Sequence, residues 1–131
     1  MALTKTCLRA QAKKGAELLD HKHPGWWRKV KTTELDMSEC DRCVLGWVFE
    51  GSSDNDLGYW SGVWGLFGSG DFRSPWTHGF NAEGKAFKDG TTDFDVLADE
   101  WVKRIQQRRR EYRADLAQRH DQRSVTVGSI T

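Results

Sequence analysis

Apolar positions recur mostly at intervals of three and four residues along the chain, the spacing of one helix face rather than the alternation of a strand. Leu8, Ala12, Ala16 and Leu19 repeat in this way, with Gln11, Lys13, Lys14 and Glu17 off that face. The spacing predicts a helix from Thr6 to Lys22, stopped by Pro24-Gly25. Gly15 inside it costs up to about 1 kcal/mol relative to alanine, which points to close packing against a neighbour or a tolerated weakness. Trp26 and Trp27 follow in a short helical or irregular piece reaching Val30. Ser38-Glu39-Cys40-Asp41 then reads as a capping box, with Cys40, Cys43, Val44, Trp47 and Val48 on one stripe behind it. A buried helix is expected from Glu39 to Phe49.

A polar loop from Gly51 to Asp56 leads into an aromatic and glycine-rich stretch, Leu57 to Gly68. Trp60, Val63, Trp64 and Phe67 have helical spacing, so a short helix is expected there; its glycines permit close approach of another backbone or a ligand. Gly68 to Gly90 reads as loop. The last helix is the clearest: Thr92 can cap it, Asp93 and Asp95 suit its dipole, and Phe94, Leu97, Ala98, Trp101, Ile105, Tyr112 and Leu116 form one apolar face. Arg119 and Arg123 fall where that face would continue, so packing is expected to end near Leu116. The pattern predicts a mainly α fold: one compact domain of four to five helices over residues 1–124, a long C-terminal helix, little or no sheet, and a flexible tail over 125–131.

Bulk properties narrow the class. At 131 residues the chain has the size of a single domain, and seven Trp with six Phe supply a core without staples. Three cysteines, an odd number, argue against a disulfide framework and for a reducing compartment. The first residues form no secretory signal and no apolar run reaches the roughly 18 residues of a spanning helix, so the expected location is the cytoplasm, with no membrane partner. The net charge of +1 gives no global basic field. Charge is instead unevenly placed: Lys103 to Arg123 carries eight basic residues against three acidic, and Glu34 to Asp56 leans acidic.

Four groups of residues invite a chemical reading. Cys40 and Cys43 share the spacing of a zinc knuckle, and His21 and His23 could complete a tetrahedron. Yet the two thiols fall on the apolar stripe, which suits buried core cysteines better, and no cofactor or metal is expected. The basic cluster Lys103, Arg104, Arg108, Arg109, Arg110 and Arg113 could contact phosphates, although it spreads around most of the helix circumference. The bland alternative is a solvated helix whose arginine stems cover the core edge. Trp60, Trp64 and Trp76 exceed what one small core needs, and tryptophan is enriched at binding hot spots. No G-x-S-x-G, H-E-x-x-H or phosphate-cradling G-x-x-x-x-G-K occurs, so no enzyme is expected. These residues predict a non-catalytic protein that engages a protein partner through Trp60, Trp64 and Trp76. The alternatives are a nucleic-acid-associated protein using Lys103, Arg104, Arg109, Arg110 and Arg113, and a zinc-stabilised domain.

A set of short motifs adds a resemblance. Leu18-Leu19-Asp20 with Pro24-Gly25-Trp26, Leu35-Asp36-Met37, Cys43-Val44-Leu45-Gly46, His78-Gly79-Phe80, and Trp101 ahead of Ile105 and Arg108-Arg109 are similar to uncharacterised small proteins of actinobacteria and their phages. The likeness runs from about Ala16 to Arg109. Trp47 stands where a polar residue would be expected, and the loop near Ser52 is expanded. The resemblance implies a single-domain protein of an actinobacterial cytoplasm or a phage genome. It brings no known activity and hence no functional residues.

Overall fold

The computed structural model describes residues 4–39, 42–49, 57–68, 71 and 73–130. It is mainly helical and forms one compact domain. Helix α1 spans Lys5–Lys22, a single 3-10 turn Trp26–Arg28, α2 Val44–Val48, α3 Leu57–Phe67, α4 Ser74–Thr77 and α5 Asp93–Ile130. Among the described residues there is no strand, only an isolated antiparallel bridge between Ala86 and Thr92. No described helix is long and apolar enough to cross a membrane.

The two long helices form the frame because each has a clean start and one apolar stripe. Thr4 caps α1, its Oγ1 accepting from the Cys7 amide at 3.1 Å. The Thr92 hydroxyl accepts from the Asp95 amide while the Asp95 carboxylate accepts from the Thr92 amide, a reciprocal capping box at the head of α5. Leu8, Ala12, Ala16 and Leu19 of α1 bury against Leu97, Trp101 and Ile105 of α5 in one core cluster.

Small residues on α1 allow that approach. A Cβ at Gly15 would lie 2.1 Å from the His78 carbonyl oxygen and 2.8 Å from the Trp101 ring. Gly79, at φ +71, sits so near Ala12 that a Cβ there would be 2.6 Å from its backbone. The turn 78–80 therefore lies flat on α1, and the buried Trp101 indole donates to the Gly79 carbonyl at 2.8 Å. Phe80 stacks on Trp101 and Trp26 meets it edge-on, at ring centroid distances of 5.3 and 5.6 Å. Asp20 closes this centre. It accepts from the Trp26 indole at 2.9 Å and, through both oxygens, from Arg108 at 2.8 and 2.7 Å. Helix α1, the 3-10 turn, the turn 78–80 and α5 thus meet at one structural centre.

Two segments depart from the pattern. Among its described residues, the stretch read as a helix from Glu39 is helical only over Val44–Val48. Asp36 takes the Ser38 amide and hydroxyl at 3.0 and 2.6 Å, so the serine is engaged upstream. Cys43 caps α2 instead, its Sγ accepting from the Gly46 amide at 3.4 Å. In α5 the packed stripe ends earlier than Leu116. Ile105 is fully buried, whereas Tyr112 and Leu116 are 37% and 45% exposed, because α1 has ended and only the 3-10 turn reaches Tyr112. The helix itself runs on through residues 125–130, which the pattern assigned to a tail.

Candidate functional site

Helix α3 contains no charged residue. Its inner face is Tyr59, Val63 and Leu66, all buried, with Gly62 between them. A Cβ at Gly62 would come within 2.8 Å of Phe49 and 3.0 Å of Leu45, so glycine lets α3 close onto α2 and the residue after it. The Tyr59 hydroxyl accepts from Asn81 at 3.0 Å, and the Lys22 ammonium donates to the Leu66 carbonyl at 3.0 Å, a cation at the carbonyl end of the helix. Gly68, at φ +83, closes the last turn with its amide on the Trp64 carbonyl.

With that face fixed, Trp60 and Trp64 point away from the core. Trp64 is 58% exposed and Trp60 39%, one helical turn apart and so about 6 Å along the axis. Trp60 meets Tyr59 edge-on at 5.2 Å, which anchors it from one side. Beside the two rings lie Ser61 and Gly65, small and also exposed. Trp76 is 37% exposed on α4, a turn packed against α3 and held by Asp71, whose carboxylate accepts from the Ser74 amide and hydroxyl. Those two bonds hold the Asp71 carboxyl below its ordinary value. Among the described residues no ring contact joins Trp76 to Trp60 or Trp64.

The basic cluster of α5 divides in two. Arg104 pairs with the buried Glu100 at 2.7 Å, and Arg108 with Asp20. Arg109 donates through one nitrogen to the Trp27 and Val30 carbonyls, pinning the 3-10 turn and the residues after it to α5. Lys103, Arg110 and Arg113 are exposed; Lys103 has a loose partner, Asp99, at 3.5 Å. Of the five residues that sequence offered as phosphate contacts, Arg104 and Arg109 are therefore engaged within the domain.

An open cleft of about 520 Å³ lies between α1 and α5, lined by Glu17, Asp20, Trp27, Arg104, Arg108 and Tyr112 among others. Burial pushes the Asp20 carboxyl up, but the hydrogen bonds from Arg108 and Trp26 and the Arg108 charge outweigh it and leave it below its ordinary value. The lining holds no Ser, Cys or His to act as nucleophile or base. Tyr112 carries the Arg28 guanidinium over its ring at 4.3 Å, so that wall already has its cation.

Of the proposed zinc ligands, Cys40 lies outside the described residues. Cys43 is buried and caps α2, while His21 and His23 are exposed at the end of α1, His23 edge-on to Phe49 at 4.8 Å. No group of three metal-binding side chains occurs among the described residues. No protein-family model, curated protein or solved structure matches the chain.

Proposed function

We propose that this domain is a non-catalytic binding protein that engages a protein partner through the Trp60–Trp64 edge of α3. One observation carries the reading: two large indoles stand in solvent on an uncharged helix whose opposite face is locked into the core. Each exposed ring leaves apolar area in water that a partner would cover, and tryptophan loses little side-chain freedom on being covered. The small residues Ser61 and Gly65 beside the rings leave room for the apolar ridge of a partner helix, in the manner of ridges packing into grooves. A lipid surface suits this edge less well, since interfacial helices carry Lys or Arg on a polar face and α3 has neither. Trp76, exposed on the neighbouring α4, is the third residue of the proposed surface.

The test is site-specific capture followed by reconstitution. A photo-reactive side chain at position 61 should cross-link one partner, which is then purified and titrated by calorimetry. Trp64→Ala should weaken that binding at least about 30-fold, the effect of a hot spot worth roughly 2 kcal/mol, and Trp60→Ala by a smaller factor. Both variants should melt as the parent does. Unchanged affinity in folded variants refutes the assignment, as does vesicle binding without any protein adduct. Unfolding of both variants would place the rings in the core.

A further inference from the structure

Projected on a helix, Lys103, Gln106, Arg110 and Arg113 fall within about a quarter of the circumference. Ala114 and Ala117 continue the same face, and all six residues are exposed. No acidic residue lies on it between Lys103 and Ala117; Glu111 and Asp115 project to one flank of it, with Arg104 and Arg108. The cluster that looks scattered by sequence is thus sorted by the fold. Arg104, Arg108 and Arg109 are turned to the body and bonded there, and Lys103, Arg110 and Arg113 form an outward stripe.

We infer that this outward stripe of α5 is a phosphate-contacting surface for duplex DNA, distinct from the tryptophan edge of α3. Charge complementarity supports it: from Lys103 to Ala117, roughly 20 Å of helix at 1.5 Å per residue, this face carries three cations and no anion, with Asp99 one turn before it. Shape supports it as well. Every residue from Arg110 to His120 is exposed, and beyond the contact of Tyr112 with Trp27 and Arg28 α5 stands clear of the body. A bare helix about 10–12 Å across matches the B-form major groove, about 12 Å wide, whereas the major groove of duplex RNA is too narrow. Ala114 and Ala117 let the helix approach closely, and Gln106 can donate to phosphate or base edges. Lys103 leaves Asp99 at little cost, as exposed pairs are weak.

Fluorescence anisotropy with a 25-base-pair duplex across a salt series tests this. Three phosphate contacts give a slope of log affinity on log salt near −2.7, so affinity should fall about 40-fold between 50 and 200 mM. In Arg110→Gln/Arg113→Gln the fall should shrink to about fourfold, with an unchanged melt because both side chains are exposed. Lys103→Gln alone should take the slope to about −1.8 and gives a second, independent variant. Trp64→Ala should bind the duplex as the parent does, so failure here and failure of the α3 reading are separable. No binding at 50 mM salt overturns the inference. So does a slope the variants leave unchanged, or equal affinity for single-stranded DNA or duplex RNA.

Discussion

Replacing Gly15 by alanine sets two opposing effects against each other, and the structure decides which wins. In a helix interior the change by itself stabilises by up to about 1 kcal/mol. Here the new carbon would begin 2.1 Å from the His78 carbonyl oxygen, and contacts under 3.0 Å are essentially never tolerated. The turn would have to retreat by close to 1 Å. That turn is held from three sides: by Ala12 beneath Gly79, by the Trp101 indole on the Gly79 carbonyl, and by Phe80 stacked on Trp101. Overpacking a site that cannot relax costs about 3 kcal/mol, so the net loss is about 2 kcal/mol. For a domain of this size it lowers Tm by about 8 °C. Gly65→Ala is the matched control. Its new carbon meets only Phe49, at 3.5 Å, on an exposed helix face, so the same chemical change should raise Tm by about 2–4 °C. Thermal and urea melts of the two variants read the difference directly. A Gly15→Ala protein that melts at or above the parent refutes the α1–turn contact.

Arg109→Ala should cost about 1–3 kcal/mol in urea denaturation, because the Trp27 and Val30 carbonyls lose their donor while partly buried. Arg110→Ala, one residue on and exposed, should change stability by less than about 0.5 kcal/mol. The Asp20 carboxyl is held below its ordinary value of 3.8 in the folded chain, so its contribution is intact above that pH. The contribution fades as pH falls through the lower folded value. Acid titration followed by tryptophan fluorescence should show Asp20→Asn losing less stability than the parent below about pH 4. A parallel loss in both proteins counts against the pairing with Arg108. Truncation after Ala117 should leave Tm within about 2 °C of the parent while helical circular dichroism falls, since Gln118, Arg119 and His120 are exposed.

The two long helices were legible because long amphipathic periods and capping residues act locally. Thr92 and Asp95 cap α5 by contacts three residues apart, and such signals survive folding unchanged. The middle was not legible for the opposite reason. Ser38 had two possible partners, and the nearer Asp36 takes it, which moves the start of α2 to Val44. Likewise Trp60, Val63, Trp64 and Phe67 announce a helix without saying which side faces inward. Gly62 decides that, because a side chain there would collide with Leu45 and Phe49, and its closeness to them turns both indoles outward. The basic cluster depended on partners far along the chain. Asp20 is distant in sequence from Arg108, and the carbonyls that hold Arg109 belong to the segment after α1.

Helix α5 has neither proline nor glycine between Asp93 and Val127, so nothing along that length acts as a hinge. Trp101 at the domain's centre and the solvated turns beyond Arg110 therefore belong to one stiff rod, about 40 Å long as far as His120 at 1.5 Å per residue. Whatever grips the far end holds a lever seated in the aromatic centre, and a sideways load there is delivered as torque on the indole that anchors Gly79.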